Sequence, residues 1–391
     1  MKQIKKIKIH HFGPILDADI NLKRINLIIG LQSSGKSCAM MIACFCSWVE
    51  KRIILRQSAK EFENSSYFID SLISYYNVKE YLYDDTRIEY HSDFMSFQYS
   101  HETRQFSHKW ERKRWSYERP KISYIPAERG IVSLISNWNK LGTQYDRILD
   151  FKQDWDLARS YMRKEANILQ TGISYKYNEE KNLDFIITPN GNEIALTNSS
   201  SGIQSLIPQY LLLDYLCNEI TKADKESLKE KSFSDKQLSI NLLNAIYKRI
   251  CSENIGEPQT EHIVHLEGKD FLFWDPESAE KFQKEAGKLL NTHHADIFLE
   301  EPECNLFPPT QFQLMNWIVE LANKKNTFFL ATHSPYILNH LLQENRKDFN
   351  LFLTYPANNG LFNIKTATEE EIQTIYDNGS DAFFNFESFT T

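Results

Sequence analysis

Eight residues, Gly30-Leu31-Gln32-Ser33-Ser34-Gly35-Lys36-Ser37, meet the pattern G-x-x-x-x-G-K-S/T at every fixed position. Phosphate oxygens need several donors at close range, and a loop wrapped on itself supplies them as backbone N–H groups. The helix that follows adds the positive end of its dipole. Gly30, Ser33, Ser34, Gly35, Lys36, Ser37 and Cys38 are therefore candidate nucleotide-binding residues. The Lys36 ammonium would contact the β- and γ-phosphates, and the Ser37 hydroxyl would hold Mg²⁺. The expected ligands are ATP and Mg²⁺.

A second chemical signal is Ile297-Phe298-Leu299, an apolar run ending in Glu300-Glu301-Pro302-Glu303. Two acids closing a buried strand place one toward a metal and one toward an attacking water. Glu300 would bind Mg²⁺ directly or through water, and Glu301 would polarise the nucleophilic water as general base. Taken alone, such a segment also reads as a solvated acidic loop. About thirty residues on, a further apolar strand ends in Thr332-His333-Ser334-Pro335, and His333 could bond the γ-phosphate or the water. A third segment, Leu196 to Gln204, is a serine-rich loop opening an apolar helix, which by itself is explained as helix capping. Its place between the phosphate loop and the acidic strand adds Ser201, Gly202 and Gln204 to the candidate nucleotide-binding set.

These groups need a scaffold. Ile4–His10 and Asp17–Leu22 alternate as half-buried strands, whereas Ile25–Ile29 is continuously apolar, as in a strand covered on both faces. It runs into the glycine loop, and Ala39–Ala43 beyond Lys36 reads as a buried helix. Residues 50–84 read as mainly helical, and 87–125 as antiparallel strands or hairpins ending in Ile122–Ile125. Residues 131–170 read as helical again. A strand pair around Ile186-Ile187 and Ile194–Leu196 turns at Pro189-Asn190-Gly191. Helices follow over Ile203–Ile220, Leu238–Ile250 and Ser278–Leu290, with a solvated helix or loop at Thr221–Lys236. Asp296–Leu299 and Thr327–Ala331 are the remaining buried strands. The class expected is α/β, with a parallel core and an antiparallel addition.

A net charge of −7 argues against a uniformly basic surface, so any nucleic-acid contact would need a local patch. The six cysteines show no zinc-like spacing and read as reduced thiols. The amino terminus lacks the apolar core of a signal peptide, and no apolar run reaches membrane-spanning length. A cytoplasmic protein without membrane contact is expected.

Together the motifs resemble the ABC-type ATPases of the SMC, RecF and OLD group, particularly the short "AAA" ATPases of bacterial anti-phage defence. Ile9-His10-His11-Phe12-Gly13-Pro14-Ile15 looks like the family's opening, and Tyr124-Ile125-Pro126-Ala127-Glu128-Arg129 resembles a segment near its Q-loop. Ser200–Gln204 is similar to the LSGGQ-type signature, with Ile203 in place of its second glycine. Glu301-Pro302-Glu303 with Leu306 and Pro308, then Thr332–Pro335, match the Walker B, D-loop and switch-histidine region. Cys304-Asn305 and Phe307 depart from the usual Ala-His and His, and Gly30-Leu31-Gln32 from Gly-Pro-Asn.

The resemblance implies one ABC-type P-loop head over 1–391 with a mixed sheet. Its lobes would be an amino-terminal lobe over 1–130 with an antiparallel β subdomain, an inserted helical subdomain with the signature over 131–290, and a Walker B and switch-histidine lobe over 291–391. Lys36 and Ser201 are only about 165 residues apart, too few for a long coiled coil. It further implies a homodimer that sandwiches ATP, with higher oligomers allowed, and a separate nuclease or toxin effector gated by the ATP cycle. Only a short tail without an Asp-x-Asp pair follows Pro335, so built-in nuclease activity is not expected. Two alternatives stay open: a RecF-like head clamping DNA, and a slow-turnover assembly scaffold. His108–Arg119 mixes basic and aromatic residues, and it could contact DNA or form a solvated hairpin with cross-strand pairs.

Overall fold

The computed structural model describes residues 5–63, 66–134, 146–162, 165–221, 233–252, 259–344 and 348–379. The expected features at Met1–Ile4, over 135–145 and in most of Thr221–Lys236 lie outside these residues. Strands are numbered along the chain: β1 Lys5–Phe12, β2 Ile15–Leu22, β3 Ile25–Ile29, β4 Leu82–Ser92, β5 Met95–Ser100, β6 Gln105–Trp110 and β7 Pro120–Ile125. Next come β8 Ala166–Ile168, β9 Ile173–Asn178, β10 Leu183–Ile187, β11 Glu193–Ala195, β12 Gln259–Leu266 and β13 Lys269–Phe273. The last four are β14 His294–Glu300, β15 Thr327–Ala331, β16 Phe349–Pro356 and β17 Phe362–Thr366.

Eleven strands form one sheet in the order β6-β5-β4-β1-β2-β17-β16-β3-β15-β14-β7. From β16 to β7 neighbours run parallel; from β6 to β2 they run antiparallel. The class is thus the expected α/β head with a mixed sheet and an antiparallel addition, and among the described residues there is no long coiled coil. β3 lies between β15 and β16 and is buried along its whole length. Its side chains serve both faces: Ile28 enters one core, while Ile25, Leu27 and Ile29 enter the other. That explains an apolar run where a half-exposed strand would alternate.

The first core packs around the helix Lys36–Arg56. The second holds the helices Asp146–Tyr161, Ser201–Asp214, Pro308–Asn323 and Pro335–Glu344. Lys5 on β1 bonds Asp296 on β14 at 2.6 Å, although five strands separate β1 from β14 in the sheet. Such a contact requires the sheet to curl around the helix it encloses.

Three expectations are corrected, and one element had not been foreseen. Ile122–Ile125 does not close a hairpin but pairs in parallel with β14. Residues 166–168, read as helical, form a strand of a four-stranded antiparallel sheet β11-β10-β9-β8; three residues are too few to show a period of two. The hairpin β12–β13 was also not foreseen. The segment after Pro335 is no mere tail, since it contributes β16 beside β3 and β17 beside β2. No described helix is long and apolar enough to cross a membrane.

Candidate functional site

The phosphate loop leaves β3 at Gly30 and enters the helix at Lys36. Its two glycines are dictated by contact. A Cβ on Gly30 would lie 1.7 Å from Thr354 Oγ1, and one on Gly35, at φ +92°, 2.6 Å from Ile15 Cγ1. Ser33 also takes a left-handed φ of 58°. Thr354, on β16, donates to Ser34 Oγ at 2.7 Å, and Ser34 donates to the Leu31 carbonyl at 2.7 Å. Sequence offered no sign of Thr354. Thr354→Ala is expected to cost about 1 kcal/mol in denaturant unfolding and to weaken ATP binding about fivefold, because the loop loses its brace. Unchanged affinity would show that Ser34 holds the loop alone.

Lys36 folds back on the loop, donating to the carbonyls of Gly30 at 3.0 Å and Leu31 at 2.6 Å. Burial lowers its ammonium to about 8, against the opposing pull of Glu301 and Glu303. A buried cation bonded to neutral carbonyls suits an arriving anion. Ser37 is half-buried at the helix start, while the Cys38 side chain is buried and its thiol raised by that burial.

The acidic strand end converges here. Glu301 has a left-handed φ of 39°, and its carboxylate stands 3.9 Å from His333 Nε2. The His333 amide donates to Glu303 Oε1 at 2.7 Å. Burial lowers the His333 imidazole and nearby Lys36 lowers it further, so the neutral ring is favoured despite Glu301. Glu303 is raised chiefly by burial. Glu300 is turned the other way: Tyr124 Oη donates to its Oε1 at 2.7 Å and the Ala127 amide to its Oε2 at 3.2 Å. Each oxygen accepts one hydrogen bond and keeps a further lone pair for a metal or a metal-bound water. Among the described residues no group of three or more His, Cys, Asp or Glu could hold a metal alone. Mg²⁺ would therefore need phosphate oxygens as ligands beside Ser37.

Arg129 was visible in the sequence, but its task was not. It is fully buried, and its guanidinium donates to the carbonyls of Glu300 at 2.8 Å, Glu301 at 2.7 Å and Pro126 at 3.3 Å. This clamp fixes the backbone on which both acids stand.

The serine segment opens the helix Ser201–Asp214. Ser200 occupies the N-cap of the helix Ser201–Asp214 without a side-chain capping bond, so capping does not account for it. Ser201 is exposed. A Cβ on Gly202 would meet the Asn305 carbonyl at 2.9 Å, and Gln209 donates to the Pro302 carbonyl at 3.1 Å. The Gln204 side chain is buried and bonds inward to the carbonyls of Thr197 at 3.0 Å and Leu196 at 3.4 Å. Among the described residues no hydrogen bond joins Ser201–Gln204 to the phosphate loop. Thus Lys36, Glu301, Glu303 and His333 converge, whereas Gly202 lies against the loop after β14, Ser201 is exposed and Gln204 turns inward.

In the basic-aromatic stretch, Arg114 lies over Trp110 at 4.8 Å and over Trp115 at 4.6 Å, and Arg249 lies 4.7 Å from the Trp115 ring centre. Lys113 pairs with Asp93 and His108 with Glu63. The stretch is not the expected hairpin: it leaves β6 at Trp110 and passes through a helical turn at Arg114–Ser116. Its partners come from helices and a turn rather than a facing strand, and its cations lie over rings that base stacking would use.

No protein-family model matches the chain, and neither does any curated protein. Among solved structures it is similar to the SMC head domain from Thermotoga maritima, at 12% identity and TM-score 0.41 over 93% of this chain and 99% of that one. It is also similar to an SMC head with an extended coiled coil bound to the C-terminal domain of ScpA, from Pyrococcus furiosus, at 9% identity and TM-score 0.35 over 96% and 99%. A third is the ADP conformation of an ATP-binding cassette of an ABC transporter, at 12% identity and TM-score 0.37 over 98% and 99%.

Proposed function

We propose that this chain is an ABC-type ATPase head that binds ATP with Mg²⁺ and closes as a homodimer around it. The observation that carries the reading is the convergence of Lys36, Glu301 and His333, with Glu303 fixing the histidine's backbone. Bound Mg²⁺ would neutralise charge between the β- and γ-phosphates. Lys36 exchanges its loop carbonyls for phosphate oxygens. Glu301 accepts a proton from the attacking water, and neutral His333 holds that water or the γ-phosphate by a hydrogen bond. Ser37 and, directly or through water, Glu300 would hold the metal.

Ser201 and Gly202 would cap the nucleotide of the other copy. The exposure of Ser201, of Leu31 at 41% and of Phe307 at 76% supports a face left for a second copy. Gly202 serves this end by letting the helix start approach Asn305. The cycle would gate a separate nuclease or toxin in phage defence, a step that rests on the family resemblance and is tested by co-purification with neighbouring gene products.

The deciding experiment is ATP turnover against protein concentration. Turnover is expected to rise faster than linearly, to fall about 10³-fold in Glu301→Gln with ATP binding retained, and to vanish together with binding in Lys36→Ala. Turnover proportional to concentration would remove the dimer, and an active Glu301→Gln would remove the assigned base.

A further inference from the structure

The helix Ser201–Asp214 carries a proline, Pro208, in its interior. Proline has no amide hydrogen to give the Gln204 carbonyl one turn earlier. Ser133 Oγ donates to that carbonyl instead, at 2.8 Å, from the short helix Ile131–Leu134 that follows Arg129. One residue past the proline, Gln209 is fully buried, and its side-chain amide is the donor to the Pro302 carbonyl at 3.1 Å. Pro302 stands between Glu301 and Glu303. Among the described residues the Gln209 Oε1 has no partner. Leucine would fill this space without burying an unpaired oxygen, so the position is used for its bond and not for packing. At the helix start, Gly202 lies so close to the Asn305 carbonyl that a Cβ would stand 2.9 Å from it. One helix is thereby fixed to both segments that Arg129 joins.

We propose that Gln209 is a positioning residue that couples the two ATP sites of the dimer. It carries the docking of its own helix start on the other copy's nucleotide to Glu301 and Glu303 of its own site. The inference rests on the ATP-sandwich reading above, in which Ser201 and Gly202 cap the nucleotide of the other copy. Gln209 lies about 12 Å further along the same helix. The Ser133 bond to Gln204 stands between these two ends and gives the helix a fixed point about which to swing. Movement of the capping end therefore reaches the Pro302 carbonyl, one residue from the general base. Glu301 already holds a left-handed φ of 39°, and a displacement of about 1 Å in a catalytic group changes the rate strongly. Each copy thus turns over its own nucleotide fast only while its helix is seated on a nucleotide in the other.

The test mixes the parent chain with an excess of one of two partners that do not hydrolyse ATP. Glu301→Gln keeps its nucleotide and Lys36→Ala holds none, so the parent's helix meets either a loaded or an empty loop. Turnover is counted per heterodimer recovered through an affinity tag on the parent copy. It is expected to be about tenfold higher beside Glu301→Gln than beside Lys36→Ala. Gln209→Met in the hydrolysing copy should bring that ratio to about one, with ATP binding retained. The same substitution placed in the non-hydrolysing partner should leave it at about tenfold, because Gln209 acts on its own copy's loop. A residue that only supports the fold lowers both rates together and leaves the ratio as it was. If Gln209→Met does not fold, Gln209→Asn, one methylene short of Pro302, replaces it. Equal rates beside the two partners, or a ratio that survives in the Gln209 variant, overturns the coupling. A parent that hydrolyses no ATP, or forms no heterodimer, defeats the dimer reading itself and the coupling with it.

Discussion

Arg129→Met is expected to lower ATP turnover about 10²-fold or more while ATP binding survives, and to cost about 2–4 kcal/mol of stability. The side chain lies in the protein interior, where burial lowers its affinity for the proton and Glu303, Glu301 and Glu300 restore part of it. Its donors meet backbone carbonyls rather than carboxylates, so its task is positional. Glu301 holds a left-handed φ of 39°, which a side chain bearing a Cβ resists. The Cys304 amide and Arg129 Nη2 both bond its carbonyl and keep it there. Methionine fills similar volume but leaves the Glu300 and Pro126 carbonyls without this donor, and Glu301 can relax. A shift of about 1 Å in a catalytic base is enough for such a loss. The phosphate loop does not bond Arg129, so ATP affinity measured beside turnover separates this role from unfolding. Arg129→Lys should recover some stability and little turnover, because one ammonium cannot span the Glu300 and Glu301 carbonyls as the fork does. A turnover loss no larger than the unfolded fraction would reduce Arg129 to a packing residue.

What could be read from the chain beforehand follows the range of the interactions concerned. The phosphate loop was legible because its requirements are local: two glycines, a lysine and a hydroxyl at fixed offsets between a buried strand and a helix. β15 was found with its observed bounds, Thr327–Ala331, because a buried strand is an uninterrupted apolar run. Thr354 was not legible, since its tie to Ser34 spans 320 residues and its own neighbours look like ordinary strand. Arg129 stood in a quoted segment, yet its partners are carbonyls 171 and 172 residues away, and every residue has a carbonyl. Gln204 illustrates the reverse case. Its place in a signature-like segment suggested contact with nucleotide, while the fold uses its amide to close the loop from Leu196 to Ser200. Pattern identifies residue types that could serve, and only packing decides which way they face.

Lys5→Met is expected to cost about 3–5 kcal/mol near neutral pH. Lys5 Nζ and Asp296 Oδ2 are 2.6 Å apart, with side-chain exposures of 9% and 2%, and they tie β1 to β14 across the curled sheet. Burial alone would discharge both groups. Each is instead held charged by the other, the lysine raised and the carboxyl lowered, with Glu50 adding to the pull on Lys5. Asp296, depressed, contributes stability above its unfolded value of about 4 and loses it as pH falls through the lower folded value. Lys5, raised, contributes below about 10.4 and loses it as pH rises through the higher folded value. The pair therefore acts evenly from about pH 5 to 9. Without Lys5 the sign at Asp296 reverses, because burial now raises its carboxyl. The variant then loses stability as pH climbs above about 4, until that raised value is passed. Urea unfolding should find a deficit larger at pH 8 than at pH 5, and Lys5→Met/Asp296→Leu should recover most of it. Nearby His294, 3.8 Å from Asp296 and kept neutral by burial, gives little compensation at pH 8. A deficit independent of pH, or undiminished in the double variant, would mean that the lysine acts through its aliphatic packing and not through its charge.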